Sequence, residues 1–263
     1  MKRALVLTLL VGCGRVAFDG QTDAARDDAS DDALGVASCP GMATVFDEDG
    51  DFVGDPCDVC PHLVDDQTDG DSDGVGDACD FEPAAARQRI LFFDGFNAER
   101  AEWNYGGTVT GGQLVIPVLA TDANNVLDVP TSVASVTISG TILEVGALTT
   151  HLFVAMKPVP NESYYMEMIN DGPGRRRSLM YQLDAMYTEL AGMTNTGTPI
   201  QPGPFTLELD ARASQMLGHI ETVGAAPVGF VATGTPTISS ARMLLYMRNL
   251  SVVFDYAIVI ETF

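Results

Sequence analysis

Asp69, Asp71, Asp73, Asp77 and Asp80 place carboxylates at positions 1, 3, 5, 9 and 12 of a twelve-residue window, with Gly74 at position 6 and Val75 at position 7. Hard oxygen ligands at alternate positions, a backbone carbonyl at position 7 and a glycine for the sharp turn are what a calcium loop requires. Asp47, Asp49, Asp51, Asp55 and Asp58 repeat the spacing 22 residues upstream, with Val53 at position 7. Carboxylates this dense repel one another unless a cation sits between them, so calcium is the expected cofactor. Position 6 of the first window is Phe52, and glycine has moved to position 4 as Gly50. A bulky side chain disfavours positive φ, so the second loop is expected to be the better formed.

The segment that must position these ligands, residues 39–80, is an internal repeat. Each copy opens with Cys-Pro, at Cys39 and Cys60, and closes with Gly-Asp-Xaa-Cys-Asp, ending at Asp58 and Asp80. First and second cysteines are 18 residues apart in one copy and 19 in the other, which suggests bridges Cys39–Cys57 and Cys60–Cys79. Four cysteines allow three connectivities, and the repeat rather than the count makes the choice. Three other readings compete. An acidic disordered linker would not set cysteines and carboxylates in register twice. Zinc at Cys57, Cys60 and His62 has ligand-like spacing, but aspartates dominate the segment. A helix-loop-helix site lacks flanking helices, because prolines and cysteines crowd both sides.

Taken together, Asp-Xaa-Asp-Xaa-Asp-Xaa-Val-Gly-Asp-Xaa-Cys-Asp, the join Cys57-Asp58-Val59-Cys60-Pro61 and the lead-in Asp66-Gln67-Thr68-Asp69 resemble the thrombospondin type 3 repeat. The resemblance implies calcium as the organising core of a module with almost no apolar interior. The composition agrees, since this stretch has too few large apolar residues to build a core.

Upstream, Met1-Lys2-Arg3 is followed by an apolar run too short to span a bilayer, then by Leu10-Val11-Gly12-Cys13. These four residues resemble a bacterial lipobox. That implies a signal peptide over residues 1–12, lipidation of Cys13 and contact with a membrane through the lipid. Gly14 after the cysteine points to the outer membrane of the bacterial envelope. Residues 13–38, rich in Asp, Ala and Ser, read as an acidic flexible tether. In an exported chain disulfides persist. Residues 1–86 carry 20 of the 36 acidic residues against 4 of the 14 Lys and Arg, in a chain of net charge −22. Such acidity excludes nucleic acid as a partner, which would need clusters of Lys and Arg.

After a linker at 81–87 the pattern changes. From Ile90 onward there are short runs rich in β-branched and aromatic residues bounded by Gly, Pro, Asn and Asp, with no long helical period. Thirteen strands are expected: 90–93, 113–118, 125–129, 135–144, 151–157, 163–169, 178–183, 187–191, 205–211, 215–222, 228–233, 243–247 and 251–261. Asn170-Asp171-Gly172-Pro173-Gly174 is a hairpin turn between two of them. The fold class is therefore all-β, a two-sheet antiparallel sandwich over residues 88–263 preceded by the small calcium- and disulfide-stabilised repeat module. Phe92-Phe93-Asp94-Gly95-Phe96 near the start and Val253-Phe254-Asp255-Tyr256-Ala257-Ile258-Val259 near the end are similar to the terminal strands of concanavalin A-like jelly rolls, the class of laminin G-like and glucanase-type domains. The resemblance implies that the first and last strands lie side by side.

Chemistry in the sandwich is sparser. Glu208 and Asp210 share one strand face, and Glu208-Leu209-Asp210 resembles half of the Glu-Xaa-Asp-Xaa-Xaa-Glu motif of glucanase jelly rolls. The second half is missing, since Ala211-Arg212-Ala213 follows. Both acids are expected to be solvated, and His151 and His219 to be isolated surface or half-buried residues. Glu162 and Glu167 do not fit the motif. Tyr164 and Tyr165 are adjacent, so one must face outward. The reading that follows is a lipid-anchored envelope protein that binds calcium and whose sandwich binds a glycan or a surface protein without catalysis. The alternatives are a polysaccharide-cleaving glycoside hydrolase and a structural envelope component.

Overall fold

A computed structural model describes residues 46–263 apart from 101–102, 105–106, 118–122, 132, 160, 172–173, 195–198, 213–214 and 234–240. The signal segment, the tether, Cys13 and Cys39 lie outside the described residues.

Among the described residues fifteen strands form two sheets, and every described strand pair is antiparallel. The eight-stranded sheet runs β13 (Val228–Thr233), β12 (Gln215–Thr222), β11 (Gly203–Ala211), β6 (Val133–Val145), β15 (Leu250–Thr262), β4 (Gln113–Ile116) and β3 (Thr108–Thr110). Beside β15, further along its length than β4, lies β1 (Gln88–Asp94). The seven-stranded sheet runs β10 (Met186–Thr194), β9 (Gly174–Leu183), β8 (Glu162–Asp171), β7 (Thr150–Val159), β14 (Ala241–Arg248), β5 (Ala123–Thr131) and β2 (Trp103–Asn104). The first and last strands of the sandwich are thus paired, Gln88 opposite Thr262 and Asp94 opposite Ala257.

Alternation along each strand decides which side chains fill the core. On β11, Phe205, Leu207, Leu209 and Ala211 are buried between the sheets, which leaves Thr206, Glu208 and Asp210 on the outer face. On β12, Met216 and Ile220 point inward, and Leu217 and His219 outward. Gly218 shares the inward face. A Cβ built there would collide with Met166 Sδ, so glycine lets the methionine of the opposite sheet close the core.

The β8 strand departs from simple alternation. Ser163 through Ile169 are all buried, Tyr164, Met166 and Met168 in the core and Tyr165, Glu167 and Ile169 beneath side chains on the outer face. Tyr165 does face outward, yet it is only 3% exposed, because Phe153 (ring centroids 4.8 Å apart), Met180 and Ala155 cover it.

Candidate functional site

The two acidic loops fold by the same hydrogen-bond scheme. Asp47 Oδ1 and Oδ2 accept the Gly50 and Phe52 N–H groups, and Asp69 Oδ1 and Oδ2 accept those of Ser72 and Gly74. Asp49 and Asp71 accept from the residues two further on, as do Asp51 and Asp73. Asp55 and Asp77 reach back to the N–H groups of Glu48 and Gly70. Phe52 stands at φ +77°, where Gly74 stands at +94°. The expectation that a bulky residue would impair the first loop is therefore corrected. The two bonds from Asp47 hold the backbone in the left-handed region, and the Phe52 ring escapes crowding by remaining 60% exposed.

Three groups of carboxylates bring one oxygen each to within 4.8 Å of one another: Asp47, Asp49 and Asp51; Asp69, Asp71 and Asp73; and Asp51, Asp58 and Asp65. The third spans both repeats, and Asp65 was not among the residues selected by spacing. The Gln67 amide nitrogen lies 2.8–3.0 Å from oxygens of Asp51, Asp58 and Asp65 and has two hydrogens to share among them. Asp49, Asp58, Asp65, Asp71 and Asp80 each keep one buried oxygen with no hydrogen-bond partner. An ionised carboxylate has only acceptors, so buried oxygens without donors fit a hard cation. Burial, then the neighbouring charges, pushes Asp49 up to about 7 and Asp55 to about 6, and raises Asp58 and Asp80. A cation among these groups would favour their ionised forms. Asp69, Asp71, Asp73, Asp77, Asp80 and the Val75 carbonyl, and the equivalent Asp47, Asp49, Asp51, Asp55, Asp58 and Val53, are the residues that would hold it.

Cys60 and Cys79 are bridged, with an S–S distance of 2.11 Å. Cys57 is also disulfide-bonded, and Cys39, its expected partner, lies outside the described residues. The repeats do not stand clear of the sandwich. Fully buried Val75, with Cys79, packs on Ile258 and Ile260 of the outer face of β15, beside Ile90 and Phe93 of β1 and Tyr256. The His62 ring lies 5.3 Å from that of Tyr256, and burial lowers the histidine to about 4.

Two strands further across the same sheet face is a groove of about 360 Å³. The registers place Ile258 beside Thr137, Thr137 beside Glu208, Glu208 beside His219 and His219 beside Gly229. The next row runs Ile260, Ser135, Asp210, Leu217 and Val231. Gly229 leaves the outer end open, since a Cβ there would meet nothing within 4 Å. Glu208 is half-buried and Asp210 only 4% exposed, so the expectation of two solvated acids is corrected. The Arg212 Nε donates to Asp210 Oδ2 at 2.6 Å. Burial and then the Asp210 charge raise Glu208, while burial raises Asp210 against the opposing pull of Arg212. A carboxyl of raised proton affinity beside a second one paired with an arginine is an acid–base arrangement.

The opposite sheet carries a cluster that sequence reasoning missed. Glu167 is 0% exposed, with Oε2 2.7 Å from His151 Nε2. Its Oε1 accepts from Arg176 Nε at 2.7 Å and Ser178 Oγ at 2.9 Å. Burial is the largest influence and pushes the carboxyl up, but His151, Arg176 and Ser178 together outweigh it and its proton affinity falls. The signal was a lone glutamate inside the apolar run Tyr164-Tyr165-Met166-Glu167-Met168-Ile169. Phe153 stacks on Tyr246 beside the cluster at 4.6 Å, and His151 meets both rings edge-on.

No family model and no curated protein matches the chain. Among solved structures it is similar to the CBM2 module of the evolved Dit protein of Lactobacillus casei BL23 phage J-1, at 7% identity and a TM-score of 0.55, covering 67% of this chain and 96% of that one. It is also similar to the κ-carrageenase of Pseudoalteromonas carrageenovora (10% identity, TM-score 0.49, 67% and 96% covered). A third match is a β-1,3-1,4-glucanase, or lichenase, from a mouse hindgut metagenome (9%, 0.48, 65% and 99%). At these identities the likeness is one of fold, a jelly-roll sandwich. The expectation of a non-catalytic domain that binds a glycan or a surface protein rested on solvated acids and is corrected, because the acids of β11 are enclosed.

Proposed function

We propose that the chain cleaves polysaccharide in the groove on the outer face of the eight-stranded sheet. The observation that carries this reading is the pair Glu208 and Asp210, enclosed and of unequal partnership. Asp210 is paired with Arg212, and its charge adds to burial in raising the proton affinity of Glu208. Glu208 donates its proton to the glycosidic oxygen, and the leaving sugar departs as an alcohol. Water attacks the anomeric carbon and gives its proton to Asp210. Direct attack by water is a single displacement, which inverts the anomeric carbon.

The test is reducing-end release from xylan, β-1,3-1,4-glucan and κ-carrageenan, with the anomer of the first product read by NMR. Glu208→Gln should lower kcat by about 10²–10⁴-fold. Gly229→Phe, which fills the open end of the groove, should raise KM and leave folding intact. Turnover unaffected by either change would overturn the assignment.

Calcium in the acidic repeats, as in thrombospondin type 3 repeats, belongs to the same proposal. It is supported by the matched loops and the buried oxygens without donors. Titration calorimetry on the whole chain should give affinities on the order of 10⁻⁴–10⁻³ M. Absence of binding heat at millimolar calcium would remove this part. Lipid attachment at Cys13, with an outer-membrane location, is its third part. Incorporation of a labelled fatty acid should disappear in Cys13→Ser, and labelling that persists would exclude it.

A further inference from the structure

Asp73 serves two structures at once. Its Oδ1 accepts the Val75 N–H within the second loop, and its Oδ2 accepts the N–H groups of Arg87 and Gln88, at 3.0 and 2.6 Å, where β1 begins. Gln88 is itself buried and passes the connection on. Its Oε1 accepts the Phe81 N–H at 2.9 Å, and its Nε2 donates to Thr262 Oγ1 at 3.2 Å. Phe81 is thereby fixed by its backbone, and its ring centroid lies 5.2 Å from the Arg212 guanidinium carbon. Arg212 follows the last residue of β11, and its side chain is held by that ring and by the ion pair to Asp210. Each link is a direct contact, and together they run from a loop carboxylate to a carboxylate of the groove.

We infer that the second acidic loop sets the groove, with Asp73, Gln88 and Phe81 as positioning residues that orient Arg212 against Asp210. This rests on the readings of calcium in the loop and of the groove as the reacting site. With calcium bound, Asp73 is held where it can clamp the start of β1. With the metal withdrawn, repulsion among Asp69, Asp71 and Asp73 opens the loop and releases Phe81 from the arginine. The repeats are then part of the groove's support, and metal occupancy tunes the reacting end of the molecule.

The test uses the full chain, isotope-labelled, with amide and Arg Nε–H exchange followed by NMR in millimolar calcium and after EDTA. In calcium, the amides of Arg87 and Gln88 and the Arg212 Nε–H should be protected, and each should exchange at least about tenfold faster after chelation. Phe81→Leu, kept in calcium, should leave the two amides protected and release only the Arg212 Nε–H, while Phe81→Tyr restores it. On polysaccharide, Phe81→Leu should lower kcat by about tenfold with KM little changed, as expected for a displaced positioning group. An Arg212 Nε–H indifferent to both chelation and Phe81→Leu would overturn the coupling, even in an enzyme that turns over. The full exchange pattern in a chain without turnover would leave the coupling intact and remove the proposed reaction instead.

Discussion

The two sheets each bury a glutamate on their outer faces and treat it in opposite ways. Glu167, on the seven-stranded sheet, has both oxygens taken by His151, Arg176 and Ser178, and its proton affinity falls below the ordinary value despite full burial. Glu208, on the eight-stranded sheet, is raised by burial and by a neighbouring aspartate whose arginine faces that aspartate instead. Burial raises both, and the number and sign of the partners decide the outcome. A carboxylate so thoroughly satisfied is committed to structure. One raised by burial and a neighbouring like charge is available to move a proton.

The largest effect should come from breaking the satisfied cluster. Glu167→Ala leaves Arg176 and His151 on a covered face without their counter-charge and should cost about 3–5 kcal/mol in urea unfolding. A loss below about 1 kcal/mol would show that the cluster is not the constraint its geometry implies. Next is Ser178→Ala, which removes one of three partners. It should cost about 1.5–3 kcal/mol and move the Glu167 titration upward in NMR. The smallest change has the opposite sign. Glu208→Gln should stabilise the chain at neutral pH by about 0.5–2 kcal/mol, as is common where an active-site group is held against its preference.

The pH dependence of the two variants should also diverge. A lowered folded value means that the Glu167 contribution is present above the ordinary value of 4.5 and is lost as pH falls through the folded value. Wild type should therefore lose its advantage over Glu167→Ala in acid. A raised folded value works in reverse. Stability contributed by protonated Glu208 is present below 4.5 and is lost as pH rises through the folded value, so the gain from Glu208→Gln should grow with pH over that range. Parallel profiles for the two variants would erase the distinction between the faces.

Much of this was written in local spacing. Each of the thirteen expected strands has a counterpart, because β-branched runs between turn residues carry their own boundaries. The two that escaped notice, Trp103–Asn104 and Thr108–Thr110, are too short to show any alternation. The acidic loops were legible because their carboxylates fall within one twelve-residue window. The Glu167 cluster was not, since it joins three strands whose register follows from turns and from the opposing sheet. His151 lies opposite Ile169, and Glu167 opposite Ser178. For the same reason spacing alone could suggest that Glu208 and Asp210 share a face but not that neighbouring strands and Arg212 enclose them.

The pairing of β1 with β15 fixes how the molecule answers a mechanical load. The bond between Arg87 O and the Phe263 N–H, at 2.8 Å, closes the open end of the ladder, followed inward by Gln88 opposite Thr262 and the Arg89–Glu261 ion pair. Tension between Arg87 and Phe263 meets these links in turn and unzips them at low force. The same tension applied between Asp94 and Phe263 loads the whole ladder in shear. Single-molecule pulling with handles at the two pairs of points should give clearly different rupture forces, the lower one for the pair at the seam where the sandwich begins and finishes.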